Sequence, residues 1–297
     1  MAAAVHDLRR RLRSIRNTRK ITKAMELVAS ARLRRAQARI EQMRDYAETM
    51  RELMAGTARA SSSVRGLPLL QRREERTVAI VALTADRGLA GAFNGQVLRR
   101  AIALSRSLEA EGKSVRWLVT GKKGRSSLRF RRFDIDQAWT GFSERPAYSD
   151  AQAVAHRLTE LYAAEEVDRV VLVYNEFESA LVQRGVERDV LPISEELLGR
   201  DREDERERAH RGDFIYEPEP EEILARLLPT YLETELYRAL LESAASEQGA
   251  RMTAMRNASK NAGELIDSLT LAMNRARQAE ITQEILEVVA GADALTA

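Results

Sequence analysis

At 297 residues with 44% hydrophobic content, the chain is long enough for one large domain or two ordinary ones and apolar enough to build a core, which excludes disorder throughout. Its 48 Lys and Arg barely exceed its 45 Asp and Glu, so the pI near 9.2 marks a small excess and local charge matters more than net charge. The absence of cysteine excludes a disulfide framework or thiol switch, and no apolar run approaches the roughly 18 residues that span a bilayer.

Met1 to Ala55 contains no Gly or Pro and is dominated by Ala, Arg, Leu, Met and Glu, which predicts one long helix. Its first 35 residues set eleven Lys and Arg against Asp7 and Glu26, a net +9, around one apolar island, Ile21-Thr22-Lys23-Ala24-Met25. Further along, Leu33, Ala36, Ile40, Met43, Ala47, Met50 and Met54 are spaced alternately by three and four, which is a coiled-coil seam. Gly56, Ser61-Ser62-Ser63 and Pro68 are expected to end the helix.

The middle of the chain follows a different pattern. Val78 to Leu83 and Val170 to Val173 are short apolar runs of the kind buried in parallel sheets, and Trp117-Leu118-Val119 is a weaker third. Helical stretches near Gln96 to Glu111 and Asp150 to Ala164 alternate with them, which predicts a small Rossmann-like α/β domain over residues 70–215. The mixed-charge stretch Arg200 to Arg211 is expected to be a solvated loop.

Pro229 sits where a second long helix can start, and from Thr230 to Ala290 only Gly249 and Gly263 interrupt helix formers. Ala258, Ala262, Leu265, Leu269, Ala272, Ala276, Ala279, Gln283, Leu286 and Ala290 are read as its narrow seam. Helices of about 55 and 60 residues would extend on the order of 80 to 90 Å at about 1.5 Å per residue, whereas a compact chain of this size has a radius of gyration of about 19 Å. The expected architecture is therefore an antiparallel two-helix coiled coil of residues 1–60 and 220–297 flanking the α/β domain. The apolar residues Ile281, Ile285, Val288, Val289 and Leu295 continue to the terminus, where polarity is the norm, so something is expected to enclose that tip.

No motif points to chemistry. The loop Ala85 to Gly95 lies between a strand and a helix but lacks G-x-G-x-x-G, and Gly121-Lys122-Lys123-Gly124 lacks the Walker A glycine and hydroxyl residue, so both read as tight turns. Asp86 has no paired acid or base nearby in sequence and reads as a turn cap, and His6, His156 and His210 lack metal-ligand spacing. The basic first helix suits an acidic protein partner, a solvated face or, as the alternative function, nucleic acid gripped through its phosphates. Against nucleic acid stands the scarcity of aromatic residues, 5% of the chain.

Three segments carry a resemblance. Ile15-Arg16-Asn17-Thr18-Arg19-Lys20-Ile21-Thr22-Lys23-Ala24-Met25-Glu26, Asp86-Arg87-Gly88-Leu89-Ala90-Gly91-Ala92-Phe93-Asn94 and Asn274-Arg275-Ala276-Arg277-Gln278-Ala279-Glu280-Ile281-Thr282-Gln283-Glu284-Ile285 resemble the gamma subunit of F-type ATP synthases, from end to end and in order. The resemblance implies a rotor shaft without catalytic residues or cofactors of its own, whose partners are the hexamer of alpha and beta subunits, the epsilon subunit and the membrane-embedded c-ring. It implies that Lys23 and Met25, with Arg251 near the same level, face a beta-subunit loop, and that Arg277, Gln278, Thr282 and Glu284 meet beta loops higher up. The tip from Val288 to Leu295 would sit in an apolar sleeve, and Tyr216 and Glu217 would lie at the foot near epsilon and the c-ring.

Two departures from the family inform. Ala90 stands where the family often has Cys, and no cysteine pair follows Leu191-Pro192-Ile193-Ser194, unlike chloroplast members, so redox control of that type is not expected. No transit peptide is evident, which suggests a bacterial protein at the cytoplasmic face of the plasma membrane.

Overall fold

A computed structural model describes residues 2–60, 66–194 and 219–296 of the chain. Two long helices, α1 (Ala2–Ala60) and α5 (Pro220–Thr296), bracket β1 (Thr77–Leu83), α2 (Phe93–Ala110), β2 (Ser114–Thr120), α3 (Lys122–Phe130), β3 (Ile135–Trp139), α4 (Tyr148–Ala163), β4 (Arg169–Phe177) and β5 (Gln183–Leu191). By contact the chain divides into two units: Met1–Ser30 with Arg251–Ala297, and Ala31–Ala250.

In the larger unit the five strands form one sheet in the order β3-β2-β1-β4-β5, parallel except for β5, which pairs antiparallel with β4. The apolar run of β1 is buried on both faces. Val78, Ile80 and Ala82 pack with Val97, Leu98 and Ala101 of α2 and Leu128 of α3, while Ala79, Val81 and Leu83 pack with Val154, Leu158 and Leu161 of α4. The second face also takes Met50, Met54 and Ala58 of α1 and Leu224, Leu228, Leu232 and Leu236 of α5. All seven α1 seam positions from Leu33 to Met54 are buried or half-buried, as their spacing predicts.

Two helix-breaking signals are overridden. The first helix passes through Gly56 to Ala60, and α5 begins at Pro220, nine residues before Pro229, which lies inside it. Gly and Pro within a helix cost about 1 and 3 kcal/mol, whereas each fully buried large apolar side chain contributes about 1.5 to 3 kcal/mol. Met54 and Ala58 flank Gly56, and Leu228 and Leu232 flank Pro229, all at most 2% exposed, so packing wins at both places.

In the smaller unit the helices run antiparallel. Arg256 Nε donates to Glu26 Oε1 at 3.1 Å, Thr22 Oγ1 lies 2.9 Å from Ser259 Oγ, and Gly263 faces the Arg19 guanidinium, so numbers rise on one helix as they fall on the other. On α1 the inward positions are Val5, Leu8, Leu12, Ile15, Thr22, Glu26 and Ala29. On α5 they are Met252, Met255, Ser259, Ala262, Ile266, Leu269, Met273 and Ala276. This corrects much of the expected seam: of its ten positions Ala262, Leu269 and Ala276 hold and Ala258 is half-buried beside Ser259, whereas Ile266 and Met273 turn inward in place of Leu265 and Ala272, and Ala279, Gln283, Leu286 and Ala290 are exposed. Leu265 is 53% exposed and Ile266 9%. Alanine spacing shows neither that the inward phase carries Ser259, which is bonded to the opposite helix, nor that the pairing runs out near residue 280.

Candidate partner interface

The middle of this helix pair is polar on its inner side. Thr22 and Ser259 share a hydrogen bond, Ser259 Oγ also donates to the Arg19 carbonyl at 3.3 Å, and Glu26, 7% exposed, accepts from Lys23 and Arg256. The hydrogen bond from Lys23, then that from Arg256, holds the Glu26 carboxyl below the usual carboxylate range. A polar layer in an otherwise apolar seam fixes register, since a slip would strand buried polar groups.

The outer side reverses the usual arrangement. Ile21, Leu27 and Val28 are 60, 62 and 52% exposed, and Ala24 is exposed between them, so an apolar stripe at 21, 24 and 28 runs beside the cations Lys20 and Lys23. The sequence island thus splits: Thr22 turns inward, Ile21 and Ala24 outward. An exposed apolar stripe rimmed by charge marks a protein-contact surface.

Register also explains the far end of α5. Because Glu26 stands opposite Arg256 and Arg19 opposite Gly263, residues beyond about 280 run past the start of α1, a single helix for about 20 Å at about 1.5 Å per residue. Every residue from Ile281 to Ala290 is exposed, including Ile281, Ile285, Leu286, Val288 and Val289 at 46 to 71%. Five large apolar side chains exposed within nine residues make a patch that calls for a covering surface.

The residues singled out from sequence fall into three groups. Lys23 has a side chain 59% exposed with its ammonium 3.0 Å from Glu26, and Met25 is half-buried beside it. Arg251 is 6% exposed and lies five residues, about 7 to 8 Å of helix rise, from the Arg256 level that faces Glu26. Arg277, Gln278, Thr282 and Glu284 are all exposed, and Thr282 Oγ1 bonds the Gln278 carbonyl. The spacing of Arg277, Ile281, Glu284 and Val288 puts them on one face, so charge and apolar surface interleave there. Tyr216 and Glu217 lie outside the described residues, as does Arg200 to Arg211.

In the larger unit, the place where parallel sheets usually bind ligands is filled by the chain itself. The topological switch lies between β1 and β4, and outside their carboxyl ends Phe93, 2% exposed, packs with Ala85, Ala90 and Ala250. The Asn175 side chain donates to the Phe93 carbonyl, and the Ala85 N–H donates to Asn94. Asp86 is a tie between loops: its carboxylate accepts the backbone N–H groups of Lys122, Gly141 and Ser143, and its own N–H donates to Ser143 Oγ. All three ends of β1, β2 and β3 are thereby joined, and the carboxylate is committed to structure.

Two buried acids on α5 escaped sequence reading. Glu235 accepts from Arg51 of α1, Arg188 of β5 and Arg238 of α5 at 2.8 to 3.3 Å. One turn pair further on, Glu242 lies against Tyr174; burial, reinforced by the Glu176 charge and only partly offset by Arg188, pushes its carboxyl up to about 7. A carboxyl whose native pKa is raised contributes stability fully below its unfolded value of about 4.5 and loses it as pH rises through about 7. Glu242→Gln is therefore expected to raise the urea midpoint at pH 8 by an amount worth about 3 kcal/mol, with no gain at pH 4.5. Equal effects at both pH values in parallel urea titrations would contradict it.

The chain thus presents paired helices with a polar register layer, outward apolar and basic stripes of the kind that dock proteins, and a sheet crevice filled by its own residues. A family model described as ATP synthase matches residues 4–295. The ATP synthase gamma chain of Rubrobacter xylanophilus is 46% identical over 295 residues, covering 99% of both chains, and that of Nostoc punctiforme is 42% identical over 314, covering 99 and 100%. Among solved structures, a Tetrahymena thermophila mitochondrial ATP synthase central stalk and c-ring chain is 27% identical with a TM-score of 0.59, covering 80% of this chain and 99% of that one. A Euglena gracilis mitochondrial ATP synthase chain, from its OSCP, F1 and c-ring assembly, shares the fold at TM-score 0.68 and 18% identity, covering 99 and 95%. The chain belongs to the ATP synthase gamma chain family.

Proposed function

We propose that this chain is the central-stalk rotor subunit of an ATP synthase, carrying c-ring rotation to the catalytic beta subunits for ATP synthesis and, in reverse, for proton pumping. The observation that carries the reading is the bare end of α5, whose exposed Ile281, Ile285, Leu286, Val288 and Val289 call for covering partners. Full-length kinship with gamma chains supports taking the covering partners to be the alpha and beta subunits that the family resemblance implies. Epsilon and the c-ring would hold the foot, with Tyr216 and Glu217 as candidate contacts. The filled crevice at the sheet supports a subunit that performs no chemistry itself. No helix among the described residues is long and apolar enough to cross a membrane, and we place the subunit at the cytoplasmic face of a bacterial plasma membrane through its complex. The nucleic-acid alternative loses support from the same helix, because its basic face is shared with Ile21, Leu27 and Val28.

A shaft must favour no rotational position strongly, since 1.4 kcal/mol already biases two positions tenfold. We assign Lys23, Met25, Arg277, Gln278, Thr282 and Glu284 to contacts with beta-subunit loops, and Arg251, nearly covered, to holding α5 at that level. Met25→Lys adds a cation beside Lys23 and the apolar stripe, strengthening attraction to an acidic loop at one angle. It is expected to lower proton pumping per ATP hydrolysed severalfold while the subunit composition of the purified complex stays unchanged. Pumping in normal proportion to hydrolysis in membrane vesicles would show that Met25 is wrongly placed.

The reading as a whole is tested by co-expression with alpha and beta subunits of the same organism, followed by size-exclusion chromatography and an ATPase assay. A complex holding one copy of this chain, with activity reduced when 277–297 are deleted, is the expected result. Separate elution, with alpha and beta unaffected, would overturn it.

A further inference from the structure

We propose that α3 and the residues that follow it form a docking patch for an anionic lipid surface. From Lys122 to Arg132 the chain carries six cations, Lys122, Lys123, Arg125, Arg129, Arg131 and Arg132, and no acid. None of the six makes an ion pair within 4 Å among the described residues, and Arg131 spends its guanidinium on Ser127. Several other cations of the unit are matched, Lys113 with Glu75, Arg100 with Glu187, Arg157 with Asp136 and Arg169 with Asp189, and what sets this stretch apart is six unpaired cations in eleven residues without an acid. Asp86, the acid bonded to the start of α3, has its oxygens engaged by backbone N–H groups.

Amid these charges Phe130 is 89% exposed, more than any other large apolar side chain among the described residues. The inward residues Gly124 and Leu128 are fully packed, so the helix is anchored and its outer side is free. A polybasic cluster with one aromatic wedge matches an anionic headgroup layer, where each cation contributes about 1 kcal/mol and the ring enters the interface. The cations are carried on long side chains without fixed acidic partners, which suits a fluid anionic surface better than a shaped acidic protein face. A single ring also provides no platform for successive stacked bases. The attachment is weak and laterally mobile, which a turning subunit tolerates where fixed ion pairs to a stator would hold it. The inference rests on the rotor reading only in bringing the chain to a membrane.

Because the chain has no cysteine, Phe130→Cys accepts a single environment-sensitive fluorophore, and Arg9→Cys supplies the same label in the other basic region. The labelled full chain is mixed with phosphatidylglycerol vesicles or with phosphatidylcholine vesicles. Expected are a blue shift at position 130 on phosphatidylglycerol only, reversal by added salt, and vesicle co-sedimentation weakened about 25-fold by Arg129→Ala with Arg131→Ala but not by Arg13→Ala with Arg16→Ala. Phe130→Ala in the unlabelled chain is expected to weaken it severalfold. A shift at position 9 alone, equal loss from both double variants, or binding of polyglutamate or DNA without vesicles would each overturn the proposal. Co-assembly with alpha and beta subunits is read separately, so failure here leaves the rotor reading standing.

Discussion

Replacing Gly121 with alanine is expected to lower the unfolding free energy of the purified chain by about 4 kcal/mol or more. The residue ends the turn from β2 into α3 with φ of +87°, where a side chain costs about 1 to 2 kcal/mol by itself. The larger part comes from space: a Cβ would land on the Thr84 carbonyl oxygen and within 2.7 Å of the Ala85 carbonyl carbon. These are backbone atoms and cannot rotate away. They are held by the Thr84 N–H and hydroxyl, both donating to the Thr120 carbonyl, while the Gly121 N–H donates to Trp139. Moving either strand end would break bonds at the ends of β1, β2 and β3 together. Gly112 is the control, because its φ is +80° yet nothing lies within 4 Å of its added Cβ. Gly112→Ala is expected to cost about 1 kcal/mol, the conformational part alone. Equal losses for the two variants in urea unfolding would refute the crowding at Gly121.

The same contrast between local and tertiary causes decides what the sequence reveals. The strands β1, β2 and β4 are legible because they are buried on both faces and read as apolar runs. By contrast β5 carries Arg184, Glu187, Arg188 and Asp189 on an edge, and β3 is a short edge strand, Ile135–Trp139, so neither shows a run or a clean alternation. The short α3 hides behind its four cations, although Gly124 and Leu128 at four-residue spacing do face the sheet. The α1 seam is legible from Leu33 to Met54 because apolar residues occupy nearly every position; nearer the N-terminus Thr22 and Glu26 occupy the same three-and-four phase, and polar residues conceal it. The outer stripe at Ile21, Ala24 and Val28 is visible only once that phase is extended and these residues fall off it. The three resemblance segments named the surfaces of interest, but not that Arg251 is covered while Ile21 and Val28 are bare.

Glu235 repeats this lesson inside the larger unit. It shares the phase of Leu228, Tyr231, Glu242 and Ala245 along α5, so the helix periodicity itself sends a carboxylate inward, where it is 6% exposed. There it holds guanidiniums from α1, β5 and α5, one carboxylate tying both long helices to the sheet within the larger unit. Removing the anion leaves three cations converging on a desolvated point, and breaking a buried pair in this way costs about 3 to 5 kcal/mol. The three guanidiniums are 20 to 40% exposed, so water relieves part of the repulsion and the lower end, about 3 kcal/mol, is expected for Glu235→Ala. Arg51→Ala, taking away the most exposed partner, is expected to cost about 1 kcal/mol or less. The double change Glu235→Ala with Arg238→Ala should cost less than the sum of its parts, because each deletion removes the reason the other was unfavourable. In a subunit that transmits torque, the tie also resists shear, within the larger unit, between the α1 and α5 segments there and the sheet, so Glu235→Ala is expected to lower ATP synthesis under a proton gradient more than unloaded ATP hydrolysis. Equal stability losses for Glu235→Ala and Arg51→Ala in urea titrations, or strict additivity in the double variant, would show that Glu235 is not the centre of the network.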